Sequence, residues 1–118
     1  MTRRFQNFIN GRSVPPNSND WIDSVNPATG EVWAQIARSN VVDVRLAVES
    51  AKRASEQHDW RYNSANRSKI LNDIADRLDS EHQKLIEIEI NDNGKRIREV
   101  KAQMSGLGDW YRHFAVAL

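Results

Sequence analysis

The sequence has no cysteine, and this absence removes disulfide frameworks, thiolate metal sites and cysteine nucleophiles together. It suits a reducing compartment, so a cytoplasmic location is expected. Surplus charge is missing too. There are 17 Lys and Arg against 16 Asp and Glu, and neither half of the chain is a basic arm or an acidic tail. That balance lacks the electrostatic footprint of a nucleic-acid module. The longest apolar run, Phe114 to Leu118, is five residues, against the ~18 a bilayer span requires. Neither nucleic acid nor membrane is expected as a partner. The opening Thr2-Arg3-Arg4-Phe5-Gln6-Asn7 has no apolar stretch behind its arginines, so no signal peptide is expected. Without one, the glycosylation pattern Asn66-Arg67-Ser68 has no use.

What is present is enough for a folded chain. Leu, Ile, Val and Phe supply 27 of the 118 residues, above the roughly 20% below which disorder prevails. At this size the expectation is one domain or a piece of one. The first third reads as extended. Phe5 to Ile9 and Arg12 to Val14 flank Asn10-Gly11, a dipeptide that supplies the two positive φ angles of a type I′ hairpin turn. Trp21 to Val25 and Glu31 to Ala37 form a second pair across Asn26-Pro27-Ala28-Thr29-Gly30, where proline fixes one φ and glycine frees another. Val32, Ala34 and Ile36 alternate with Trp33 and Gln35, which predicts one buried face.

From Asn40 the period changes from 2 to 3.6. Asn40 with Asp43 three residues on is a relative of the capping box, and Val44, Ala47, Val48, Ala51 and Ala54 make one helical stripe. The stripe fades at His58-Asp59-Trp60. A second helix starts near Ser64 as N-cap and turns Ile70, Leu71, Ile74, Ala75 and Leu78 inward, with Lys69–Asp73 and Asp73–Arg77 as i,i+4 pairs. Leu85 to Val100 has two readings. Ile86, Ile88 and Ile90 alternate as in a strand, with Asn93-Gly94 as a hairpin turn; alternatively this is a helix that Gly94 ends in the left-handed conformation. Val100, Met104, Leu107, Tyr111, Phe114 and Leu118 then predict a last helix.

Candidate chemistry is sparse. Gly106-Leu107-Gly108 lacks the third glycine of a dinucleotide turn, since Tyr111 stands there, and small residues at a helix contact explain it better. His58, His82 and His113 have no metal-ligand spacing. Asp73, Asp76, Asp79 and Glu81 stand among Lys69, Arg77 and Lys84 as a solvated helix face, with no cleft for acid and base work. The four tryptophans, Trp21, Trp33, Trp60 and Trp110, read as packing residues, because stacking platforms for single strands need surplus positive charge. No residue is a convincing nucleophile.

Ordered strings say more. Phe8-Ile9-Asn10-Gly11, Val25-Asn26-Pro27-Ala28-Thr29-Gly30-Glu31-Val32, Asp43-Val44, Ala47-Val48 and Ala51-Lys52-Arg53-Ala54 come first. Arg67-Ser68-Lys69-Ile70-Leu71, Ile74-Ala75-Asp76-Arg77-Leu78, Asp92-Asn93-Gly94-Lys95 and Trp110-Tyr111-Arg112-His113-Phe114-Ala115 follow. In order and spacing these resemble the opening of NAD(P)-dependent aldehyde dehydrogenases, from about Phe5 to Leu118. The resemblance implies an α/β parent of which this segment is α+β: N-terminal β-hairpins, then three or four amphipathic helices that pack on a Rossmann-type sheet. Residues 1–118 would be the N-terminal part of the cofactor-binding domain, without the catalytic and oligomerisation parts.

The same resemblance implies that this segment contributes no catalytic and no cofactor-binding residue. It stops before the phosphate-binding turn and before the glutamate and the cysteine whose thiolate attacks the aldehyde ahead of hydride transfer. NAD or NADP, a small-molecule aldehyde and a homo-oligomeric state belong to the full-length parent, and no cofactor to this chain alone. The resemblance implies a helix ended by Gly94 in the ambiguous segment. It also matches Asp92 and the main-chain carbonyl at Ser24 to a structural alkali-metal site in some members. Arg96 stands where the family has proline, which puts the start of the next short helix in question. Two functions follow: a dehydrogenase whose remainder lies outside this sequence, or a truncated, non-catalytic homologue that assembles with full-length subunits. The apolar end Ala115-Val116-Ala117-Leu118 favours a coding frame that continues.

Overall fold

A computed structural model describes residues 2–117, the side chain of His58 excepted. The chain divides into two compact units, one up to Glu56 and one from Gln57 onward.

Among the described residues, the first unit holds five strands and a helix. Strands β2 (Asn7–Ile9) and β3 (Arg12–Val14) pair antiparallel, Ile9 opposite Arg12. Asn10 at φ 53° and Gly11 at φ 75° make the turn between them, as the Asn-Gly dipeptide requires. The expected single strand from Phe5 to Ile9 is instead two. Phe5 ends β1 (Arg3–Phe5), which is separated from β2 at Gln6 and pairs in parallel with β5 (Val32–Ala37). Strand β4 (Trp21–Val25) pairs antiparallel on the other side of β5, giving the order β1-β5-β4. The turn between β4 and β5 is built by Asn26. Its main-chain carbonyl accepts from Gly30 N–H at 2.8 Å, its side-chain oxygen accepts from Ala28 N–H at 2.9 Å, and Gly30 takes φ 73°. Ala34, on the central strand, is fully buried, while Val32 and Ile36 of the same face stay partly exposed. The face is therefore only half covered.

Helix α1 (Val41–Ser55) begins on the expected cap: the Asn40 side chain accepts from the N–H groups of Val42 and Asp43, and Asp43 accepts from Asn40 N–H in return. Its apolar stripe is not covered. Val44 is 55% and Val48 61% exposed.

The second unit is helical. Where the apolar stripe fades, the chain carries a short helix, α2 (His58–Tyr62). Asn63, rather than Ser64, caps the next helix, since its side chain accepts from Asn66 N–H at 2.9 Å. The residue one position earlier suffices because Asn63 also donates to Asp59 and so joins both helices. Helix α3 (Ser64–Asn93) runs unbroken for 30 residues, roughly 45 Å at 1.5 Å per residue. The hairpin reading of Ile86, Ile88 and Ile90 is thereby corrected. Ile86 is buried, and Gly94 takes φ 69° at the C-terminus, donating its N–H to Ile90 O at 3.0 Å. The expected single last helix is also corrected: α4 (Ile97–Met104) and α5 (Leu107–Val116) are separate, with Ser105 and Gly106 between them. Arg96, extended at φ −64° and ψ 131°, precedes α4 without a side-chain cap, and the helix forms nonetheless. Helices α3 and α5 run antiparallel. Ser68 Oγ donates to Ala115 O at 2.6 Å near one end, and Arg112 meets Asp76 and Asp79 further along. Ala75, Gly108 and Ala115 are buried in this unit.

Candidate functional site

The two residues expected to serve a metal lie in different units. Ser24 stands opposite Ala34 on β4, and its hydroxyl accepts from Trp33 Nε1 at 2.8 Å. Asp92 is exposed in the last turn of α3, two residues before the left-handed Gly94. A carboxylate and a main-chain carbonyl are hard oxygen donors, the set an alkali ion takes. Among the described residues, no group of three or more His, Asp or Glu side chains is arranged to hold an ion. His82 Nδ1 sits 2.9 Å from Asp79 O, and the His113 ring meets Phe114 edge-on.

The carboxylates of α3 are more organised than a solvated face. Asp76 Oδ1 accepts from Arg112 Nη2 at 2.8 Å and Asp79 Oδ2 at 2.7 Å, so one guanidinium of α5 is bound by two carboxylates of α3. These bonds, Asp79's first, hold Arg112 above its ordinary pKa. Gly108 explains the approach: a Cβ there would lie 2.6 Å from Asp79 Oδ1 and 2.8 Å from Arg112 Nη1. The glycine pair therefore has its packing role at Gly108. Arg112 was not singled out by spacing, although its place one turn after a glycine on an otherwise aromatic helix is a readable signal. Lys69 pairs with Asp73 at 2.6 Å as expected, whereas Arg77 turns to Glu81 at 2.8 Å rather than back to Asp73. Glu89 accepts from Lys95 Nζ at 2.8 Å and Asn93 Nδ2 at 2.7 Å, and these bonds, Lys95's first, lower its pKa.

Asp43 is the other polar residue that spacing underread. It is buried, and besides capping α1 it accepts from Asn17 N–H with both oxygens, at 3.0 and 3.2 Å. It thus ties the loop after β3 to the start of α1. The tryptophans divide. Trp33 packs edge-on to Phe5 with ring centres 5.8 Å apart, and Trp21 lies under the Arg4 guanidinium at 4.8 Å; Trp60 and Trp110 are exposed. Arg112 with Asp76 and Asp79 joins α5 to α3, and Asp43 with Asn17 joins α1 to the loop after β3, whereas Lys69–Asp73 and Arg77–Glu81 stay within α3.

Comparison with known structures places this mixed α+β segment within α/β dehydrogenases. The NAD-dependent aldehyde dehydrogenase of Sinorhizobium meliloti superposes with a TM-score of 0.90 at 30% identity, over 98% of this chain and 23% of that one. Betaine aldehyde dehydrogenase of Staphylococcus aureus, solved in complex with NAD+, gives a TM-score of 0.88 at 26% identity, over 95% and 22%. The chain belongs to the aldehyde dehydrogenase family, whose sequence profile matches residues 14–118, and it corresponds to an N-terminal portion of that family. The aldehyde dehydrogenase of Rhodospirillum rubrum is 41% identical over 117 residues, and that of Deinococcus radiodurans 41% identical over 115. The chain spans 23% and 22% of the length of these two relatives. None of the described helices is long and apolar enough to cross a membrane.

Proposed function

We propose that this chain is the N-terminal part of the cofactor-binding domain of an NAD(P)-dependent aldehyde dehydrogenase, which oxidises an aldehyde to a carboxylic acid once its remaining segments are present. The observation that carries this reading is the 41% identity over 117 residues with a relative of which the chain spans 23%. NAD+ in the complex of a structural neighbour supports the cofactor class. On this reading the exposed stripe of α1 and the helices of the second unit pack on a Rossmann-type sheet contributed by later residues. NAD(P), when bound there, supplies the hydride acceptor. This chain's residues supply scaffold: Asp43 and the Arg112 pair of carboxylates hold helices in place. Aldehyde, cytoplasmic location and homo-oligomeric assembly go with the whole enzyme, as does an alkali ion at Asp92 and the Ser24 carbonyl.

The chain alone is expected to be inactive, because it has no cysteine to attack an aldehyde. Calorimetric titration of the 118-residue chain with NAD and NADP, beside a dehydrogenase assay, is expected to give neither saturable binding nor turnover. Micromolar binding would sink the scaffold reading. Sequencing the locus separates the two functions. A frame that continues through a glycine-rich turn to a glutamate and a cysteine supports the dehydrogenase, whereas a stop codon with no remainder in any nearby frame leaves the non-catalytic assembly partner.

A further inference from the structure

Within the first unit, a groove of about 450 Å³ runs between the β2–β3 hairpin and α1. That volume falls in the roughly 300–1,000 Å³ range of small-molecule sites. Ile9 and Val14 from the hairpin and Leu46 from α1 give it apolar walls, and Arg12 and Arg53 line it from the two sides. Among the described residues, neither guanidinium has an ion-pair or hydrogen-bond partner. The carboxylate in the lining, Asp43, accepts with both oxygens from the N–H groups of Asn17 and Asn40 and pairs directly with neither guanidinium, so the two arginines outnumber it in the lining. A second cavity of about 160 Å³ adjoins and shares Ile9 and Asp43. It is lined by Asn7, whose side-chain oxygen accepts from Ser39 Oγ at 2.7 Å while its Nδ2 is buried with no partner. Beside this apolar trough stand two exposed guanidiniums, Arg12 and Arg53, and one buried amide donor without a partner, Asn7 Nδ2.

We propose that this groove binds a small carboxylic acid with an apolar body, its carboxylate held by Arg12 and Arg53 and its chain laid along Ile9, Val14 and Leu46. Guanidinium groups match a carboxylate in shape and charge. The apolar walls add what a bare anion cannot use. Inorganic anions would engage the arginines but leave the trough wet, and a neutral alcohol would fill the trough but leave the arginines unpaired.

The test reads each arginine separately. The chain is treated with phenylglyoxal in the presence of octanoate, octanol, acetate or inorganic phosphate at equal concentration, and the modified arginines are quantified by mass spectrometry of peptides. Octanoate is expected to remove most of the reactivity of Arg12 and Arg53 while Arg38 and Arg45, outside the groove, react unchanged. Octanol is expected to protect neither, and acetate and phosphate, which engage the arginines without filling the trough, to protect both far less than octanoate. A Leu46→Glu variant, at a half-exposed helix position, should fold and abolish protection by octanoate, and Arg12→Gln should weaken protection of Arg53. Equal protection by acetate or phosphate would reduce the groove to a nonselective anion site and overturn the proposal. Absence of protection by octanoate, or equal protection of Arg38 and Arg45, would overturn it as well.

Discussion

Asp43 shows what a single residue contributes beyond its place in a cap. Its spacing from Asn40 was readable, but its second role, on the N–H of Asn17 26 residues earlier, depends on the path of the loop after β3. Asp43→Ala would leave two main-chain donors without their acceptor, an expected loss of about 1–3 kcal/mol. Asn40→Ala, which removes the acceptor of Val42 and Asp43 N–H together with an exposed 3.3 Å bond from its Nδ2 to Asn17 Oδ1, should cost about 1 kcal/mol. Urea unfolding of both variants checks the order; equal losses would mean that the buried bonds from Asn17 N–H to Asp43 weigh no more than the cap at Asn40. Glu89 makes a pH prediction. Its folded pKa lies below the ordinary value of 4.5 because Lys95 and then Asn93 bond its charged form. A lowered carboxylate stabilises the fold above its unfolded pKa, and that contribution disappears as pH falls through the folded value. Stability measured from pH 6 downward should therefore drop less steeply in Glu89→Gln than in the parent chain. Parallel curves would show that the Lys95 contact has no weight at this exposed site.

Among the elements, α3 carries the lesson about windows. Across Leu85 to Asn91 alone, three isoleucines at alternate positions are a strand pattern. Extended backward through Leu71, Ala75, Leu78 and Leu85, the same apolar positions continue a 3.6-residue period that places Ile86 and Ile90 on the helix face turned inward. The alternation is a local sample of a longer helix, and burial of Ile86 decides between the readings. Gly94 then ends the helix at φ 69° and returns Lys95 toward Glu89. Gly94→Ala should cost about 1 kcal/mol through the left-handed angle, and Gly94→Asn less, because asparagine tolerates that region. A hairpin corner would show the same ranking, so backbone chemical shifts are the deciding measurement. Helical shifts from Ser64 to Asn93 are expected, and strand-like values over Leu85 to Asn91 would contradict them. The Asn-Gly and Asn-Pro turns were legible because their conformations are set within a few residues. The division of the last helix was not, since Ser105 and Gly106 interrupt an apolar period that itself continues.

At the scale of the whole molecule, the main feature is apolar surface without a cover. Val41, Val44 and Val48 on α1 and Ile22, Val25 and Ile36 on the sheet of the first unit are all more than two-fifths exposed. Patches of this kind promote association, so the isolated chain should sediment with a concentration-dependent mass; a monomer of constant mass over a hundredfold dilution would count against the scaffold reading. The amino-acid sequence by itself determined the capped helix α1, the two turns, the absence of cysteine and the family, because each rests on short-range geometry, on composition or on ordered strings. It could not determine that β1 lies parallel to β5, that Arg112 is gripped by Asp76 and Asp79, or that Arg12 and Arg53 line one groove. Those juxtapositions join residues tens of positions apart, and only the packing that covers Ala34, Ala75 and Ile86 brings them together.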